Sequence, residues 1–219
     1  MAVPELDLVV FDMAGTTLHA SDEVLDAFRA AFAHFDIELS EEEIRGIRGK
    51  SKRETIADLL IGHEGLDAEE VYADFEQILM DRFEAQDVVA IDGAEETFAW
   101  LKSRNANIAL NTGFDRAIAD MLIRRVGWDT MVDAVVTNSD VPTGRPAPFL
   151  LFRAMEWTAC KSVDRVAAVG DTIADLQAAS NAGVKWRIGV LSGAHSEARL
   201  RSYPHTAIVE TVADLPEVL

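Results

Sequence analysis

"LDLVVFDMAGTTL", residues 6–18, joins an apolar run to an acid and then to a turn rich in Gly and Thr. A short apolar run closed by turn formers reads as a strand buried on both faces, as in a parallel sheet. Ligands of open α/β sheets collect beyond the carboxyl ends of the strands, so Asp12 stands where chemistry is expected. Two residues further on, position 14 is alanine. The stretch therefore predicts one acid at a sheet edge with no second acid behind it.

The same pattern returns along the chain. Runs at 107–111, 133–137, 165–170 and 186–191 read as further buried parallel strands beside 6–11. Helix-length segments lie between them at Ala94 to Arg104, Asp115 to Val126, Ala147 to Thr158 and Asp175 to Ala182. Alternating strands and helices predict a doubly wound parallel α/β sheet of Rossmann-like type. Residues 18–106 are too many for one crossover, and the stretch from Leu18 to about Gln86 carries helical periodicity. Val24, Leu25, Phe28, Phe32 and Phe35 share one helical face, as do Val71, Phe75, Ile78, Leu79 and Phe83. Helix starts are read at Ser40 with Glu43, Ser51 with Glu54, and Asp67 with Glu70. The expected organisation is an α/β core of residues 1–17 and 89–219 with an inserted helical cap domain of residues 18–88.

Composition narrows the function. With 219 residues and 49% hydrophobic content, the chain can bury a full core. Its net charge of −18 disfavours nucleic acid and anionic membranes, both of which require phosphate neutralisation by Lys and Arg. No nucleic-acid or membrane partner is expected. No stretch approaches a membrane span, the N-terminus has no signal-peptide pattern, and the single Cys160 agrees with a reducing compartment. A cytoplasmic location is the expectation. Cys160 reads as a small space-filling residue. Five basic residues gather at Arg45, Arg48, Lys50, Lys52 and Arg53, either as a solvated helical face or as a local anion site.

The residues after each predicted strand carry the chemistry. Asp12 and Asp171 would end neighbouring strands, where two carboxylates repel unless a cation sits between them; hard oxygen ligands favour Mg²⁺. Asp175 reads either as a brace or metal-water ligand, or as a first-turn helix acid. Thr112 and Gly113 offer donors to a phosphoryl oxygen. Arg145, set before two prolines in "TGRPAP", offers a guanidinium fork to an anion. The five histidines show no ligand-like spacing and read as surface or helix residues.

Together, "DMAGT", "NTG", Arg145 and "GDTIAD", in this order and with a helical insert after the first, resemble the four motifs of the haloacid dehalogenase superfamily. That resemblance implies that Asp12 is a nucleophile forming an aspartyl-phosphate. It also implies that Mg²⁺ is held by Asp12, the Ala14 carbonyl and Asp171, with Asp175 nearby. Turn residues Met13, Ala14 and Thr16, with Gly113, would contact the substrate. Most phosphatases of the superfamily have a general acid where this chain has Ala14, and such catalysis is worth roughly 10²–10⁴ in rate.

The combination of "DMAGTT" with "GRPAP" is similar to the phosphonoacetaldehyde hydrolases, whose leaving group is carbon. In that branch a cap lysine forms an imine with the substrate aldehyde and no acid at position 14 is required. The family's cap motif falls on Gly49 and Lys52. Ser51 as N-cap would put Lys52 at the first helical position, where the helix dipole and the neighbouring Lys50 and Arg53 lower its pKa. Arg48, Thr55, Phe114 and Met13 depart from the branch's residues, all around the organic part of the substrate. The expected partner is a small phosphonate or phosphate. The alternatives are a phosphomonoesterase in which Lys52 or a cap acid supplies the proton, and a non-catalytic ligand-sensing relative. A homodimer through the Ala- and Phe-rich first cap helix is a further expectation.

Overall fold

The computed structural model describes residues 6–47 and 51–219. Arg48, Gly49 and Lys50 lie outside the described residues, and with them two members of the basic cluster and the glycine of the cap motif.

The chain begins with β1 (Leu8–Asp12), every residue of which is buried. After a tight turn come β2 (Leu18–His19) and four helices, α1 (Ser21–His34), α2 (Glu41–Gly46), α3 (Lys52–Leu59) and α4 (Ala68–Ala85). β3 (Val89–Ala90) then pairs antiparallel with β2, Leu18 opposite Ala90 and His19 opposite Val89. The chain thus leaves the sheet layer and returns to it through one two-stranded neck. Beyond lie α5 (Ala94–Ser103), β4 (Asn107–Asn111), α6 (Arg116–Val126), β5 (Ala134–Val136), α7 (Phe149–Trp157) and β6 (Val166–Gly170). The chain ends with α8 (Ile173–Ala182), β7 (Trp186–Val190), α9 (Glu197–Leu200) and β8 (Ala207–Val209).

The main sheet is parallel, with spatial order β5-β4-β1-β6-β7-β8. β1 lies at its centre, paired with both β4 and β6. Buried aromatic residues on one face stack edge to face, Phe11 on Phe98 at 5.4 Å and Phe98 on Trp128 at 5.1 Å. The parallel α/β class read from the sequence is the one observed. β8 was not anticipated, because its three half-buried residues at the sheet edge carry little apolar signal.

In the helical insert, α1 packs on α4 through the two stripes read from the sequence, with Phe28 and Phe75 rings 4.5 Å apart. Fully burying each such ring stabilises by about 1.5–3 kcal/mol. Ala27, Phe28, Ala31 and Phe32 are all covered within the chain, so that stripe is already occupied. Ser40 and Glu43 form the expected reciprocal cap of α2. Ser51 caps α3 through the Glu54 amide at 3.4 Å. Asp67 is the N-cap of α4, as read, its side chain accepting from the Glu69 amide at 2.9 Å. The start of α1 has no side-chain cap, which is why no start signal was legible there. No helix among the described residues is long and apolar enough to cross a membrane.

Candidate active site

Register brings the carboxylates together. Phe11 pairs with Val169, so Asp12, the last residue of β1, emerges beside Gly170, and Asp171 follows one step beyond β6. Asp175 enters from the first turn of α8, where it forms a reciprocal cap with Thr172. It sits where a Cβ on Gly170 would stand, 2.3 Å from the Asp175 Cβ, so residue 170 has to be glycine. Potential ligand atoms of Asp12, Asp171 and Asp175 lie within 4.8 Å of one another, and all three residues are buried.

Arg145 closes this group from the loop before α7. It is 4% exposed, donates from Nη1 to Asp12 Oδ1 at 2.7 Å, and also pairs with Asp175. Asp175 is therefore at once a helix-cap acid and the brace that aims the guanidinium. The Arg145 Nε is buried without a hydrogen-bond partner, a donor left over for an anion.

Burial pushes the Asp12 carboxyl up to about 6, against the opposing pull of Arg145. Burial, and then the charges of Asp12 and Asp175, push Asp171 up to about 8. Such shifts mean that the pocket disfavours ionising both without a further positive charge. An all-oxygen, all-carboxylate donor set fits a hard divalent cation such as Mg²⁺.

The turn after Asp12 is built for close approach. Gly15 has φ +87°, and a Cβ there would meet Asp171 Oδ2 at 2.6 Å. Ala14 lines the pocket. Thr16 is fully buried, its hydroxyl 3.4 Å from Asp171 Oδ1. Met13 requires a correction. Its side chain is fully buried in the apolar core rather than among the pocket-lining residues, because its carbonyl accepts the amides of Thr16, Thr17 and Leu18 and closes the turn beneath the pocket. Its amide, by contrast, faces Asp12 and donates to the carboxylate.

Thr112 and Gly113, past the end of β4, line the opposite wall. The Thr112 hydroxyl accepts from the Phe114 amide at 3.1 Å, which leaves its own proton for another acceptor.

Lys52 arrives from the insert as the first residue of α3 and is 8% exposed. Its Nζ stands 5.7 Å from the Phe114 ring centroid. Its pKa falls to about 8, with burial the main cause and Arg145 the second. The direction was expected, but Arg53 is not the neighbour responsible: it points away to Glu69 and Asp115. Val24, Leu25, Ile47 and Phe114 complete the pocket around Lys52 with apolar surface.

One part of the site was not read from the sequence. The loop after β7 grips Asp171: the Ala194 amide donates to its Oδ2 at 2.6 Å, and a Cβ on Gly193 would overlap that carboxyl at 2.0 Å. His195, read as a surface or helix residue, is buried here, and its Nδ1 accepts from the Ile173 amide at 3.0 Å. It caps α8 from outside that helix. The signal was present in "SGAH" directly after the strand "WRIGVL", at the same kind of sheet edge as Asp12.

The sequence profile of the haloacid dehalogenase-like hydrolases matches residues 9–188. The chain belongs to that family. It is 29% identical to phosphonoacetaldehyde hydrolase of Bacillus cereus over 215 residues, covering 91% of this chain and 80% of the relative. It is also 36% identical over 132 residues to phosphonoacetaldehyde hydrolase of Parabacteroides distasonis, covering 59% of this chain and 48% of that one. A phosphonoacetaldehyde hydrolase-like protein from Oleispira antarctica superposes with a TM-score of 0.86 at 22% identity, over 99% of this chain and 92% of that one. A phosphoglycolate phosphatase-like structure from Lactobacillus delbrueckii gives 0.81 at 19% identity, over 98% of both chains, and at such identities the likeness is one of fold. The protein is a hydrolase of this family.

Proposed function

We propose that this hydrolase acts on a small phosphonate that carries a carbonyl group, with Asp12 attacking phosphorus and Lys52 activating the carbon leaving group. The observation that carries this reading is the burial of Lys52 in the pocket that also holds Asp12, Arg145 and Asp171, while position 14 offers no acid.

Asp12, Asp171 and the Ala14 carbonyl would hold Mg²⁺, with Asp175 close by. When bound, the cation supplies positive charge that keeps the carboxylates ionised and offsets charge on the phosphoryl oxygens. Arg145, the Thr112 hydroxyl and the amides around Gly113 hold those oxygens in place. With a pKa of about 8, about a tenth of Lys52 is neutral at pH 7, far more than of an ordinary lysine. The neutral amine adds to the carbonyl, one proton is taken up and water leaves, giving an iminium. As the Asp12 oxygen bonds to phosphorus, the C–P electron pair moves into the iminium and forms an enamine. Carbon thus departs without a protonated oxygen, and Ala14 is sufficient. Water then hydrolyses the aspartyl-phosphate; a proton adds to the enamine carbon to restore the iminium, and a second water hydrolyses that and frees Lys52. The apolar wall of Val24, Leu25, Ile47 and Phe114 excludes water from the iminium.

The test is borohydride trapping. Phosphonoacetaldehyde with borohydride should leave a reduced adduct on the Lys52 peptide and abolish activity. No adduct, with p-nitrophenyl phosphate turned over, would replace this reading by phosphomonoester hydrolysis. The same lowered pKa supports that second reading, since Lys52 could then pass a proton to a leaving oxygen.

A further inference from the structure

Lys52 is flanked by two residues that both reach the sheet layer. On one side, Ser51 lies against Gly144, where an added Cβ would meet the Ser51 Cβ at 3.1 Å and Asn138 Oδ1 at 2.7 Å. On the other side, Arg53 Nη2 donates to Asp115 Oδ2 at 3.2 Å. Gly144 immediately precedes Arg145, and Asp115 is three residues past Thr112. Both contacts thus end beside residues of the phosphoryl pocket.

Asp115 is placed in a way that its local role does not explain. It occupies the N-cap position of α6, where an aspartate ordinarily accepts a helix amide, yet its side chain makes no cap hydrogen bond. The Arg116 amide, the first of the helix, donates to the Ser139 hydroxyl at 3.2 Å. The carboxylate is turned out toward the insert. There Arg53 meets it, with its guanidinium 4.0 Å above the Tyr72 ring and a second nitrogen on Glu69. Tyr72 is almost fully buried, and its hydroxyl also bonds Asp115. Burial, followed by the charge and hydrogen bond of Asp115, pushes that phenol above its ordinary range. Glu76 faces the same cluster: burial and then Asp115 raise its pKa, while Arg53 lowers it. One residue before Asp115, Phe114 packs edge to face with Phe83 of α4 at 6.3 Å.

We infer that Asp115 is a positioning residue: through Arg53 and Tyr72 it docks the start of α3 on the sheet edge and so fixes where Lys52 stands in the pocket. The docking concerns placement and holds whether Lys52 bonds the substrate or only contacts it. Its effect on turnover rests on the function proposed above.

The cluster also sets the order of the mutational effects. Asp115→Asn removes one charge-assisted bond but also removes a carboxylate that repels Glu76 and Glu69. Arg53→Met leaves three carboxylates facing one another without the cation that separates them, so it should open the contact more. A half-exposed network of this kind is worth little per pair, so the effects are moderate. Amide hydrogen exchange across residues 52–59, read on the whole protein without substrate, tests this. The expected acceleration is about twofold for Asp115→Asn and about fivefold for Arg53→Met, with exchange in β1 and β6 unchanged. Adding Asp115→Asn to Arg53→Met should bring exchange back toward the single Asp115→Asn level, and Asp115→Glu should retain wild-type exchange. In turnover, Arg53→Met should lower kcat more than it raises KM, because the pocket survives and only the lysine is displaced. Unchanged exchange in Arg53→Met, or strictly additive effects in the double variant, would overturn the inference. Normal exchange shifts in a protein that releases no phosphate would count against the proposed function while leaving the docking intact.

Discussion

The two ends of the pocket are built differently. The charged end is a sheet edge crowded with buried charge, where Asp12, Asp171, Asp175 and Arg145 come from separate segments and are held by hydrogen bonds and close glycine contacts. The organic end comes from the insert and from Phe114, and apart from Lys52 its described lining is aliphatic or aromatic. On the function proposed above, charge would hold the phosphorus, while shape and a single amine would deal with what is attached to it. On that reading the first end sets the reaction class and the second the substrate.

The largest effect should come from Asp12→Asn, which removes the oxygen proposed to attack phosphorus but keeps the volume. Phosphate release should fall by at least about 10⁴-fold on every substrate, whatever its organic part. Retention of release would break the comparison at its charged end.

Lys52→Met should separate the two ends. Cleavage of phosphonoacetaldehyde should fall about 10³-fold, whereas hydrolysis of p-nitrophenyl phosphate should change about tenfold or less. Equal losses on both substrates would mean that Lys52 serves the charged end as well. Borohydride trapping by the wild-type protein should rise with pH and level off above about 8, as the amine loses its proton.

Metal removal addresses the charged end alone. Asp12 and Asp171 hold protons more tightly in the folded protein, at about 6 and about 8, than in the unfolded chain, at 3.8. Raised carboxyl pKa values stabilise the fold below 3.8, and that stability is lost as pH rises through 6 and then 8. Metal-free protein should therefore melt at progressively lower temperature between pH 4 and 8. Magnesium should raise Tm more at pH 8 than at pH 6, because protons compete for the same oxygens. A pH-independent magnesium effect in thermal scans would place the ion elsewhere.

The smallest effect belongs to the insert away from the pocket. Ser40→Ala deletes the reciprocal cap of α2 and should cost about 1 kcal/mol of stability in denaturant titration, with kcat unchanged.

How legible each end was follows from the same difference. Asp12, Thr112 and Asp171 directly follow strong apolar runs, so each could be located from the sequence before its partners were known. Arg145 and Asp175 were marked by flanking prolines and by helix-start spacing. His195 and Gly193 were missed because their roles depend on contacts with Ile173 and Asp171, more than twenty residues away, and no local periodicity records that. Met13 was misplaced because turn residues alternate between facing the ligand and facing the core, and the turn hydrogen bonds that decide this are tertiary information. In the insert, apolar stripes marked the helices, but the same Val24 and Leu25 both pack the helix and wall the pocket. A stripe does not say which of its members faces a substrate.

The neck formed by β2 and β3 carries a consequence for how such a protein diversifies. Because His19 and Val89 face each other in an antiparallel pair, everything between them enters and exits at one joint. A recombination event there, or a designer's splice, could graft a different lid without disturbing the registry of β1 with its neighbours. Substrate range and bond-breaking apparatus could then evolve on separate schedules.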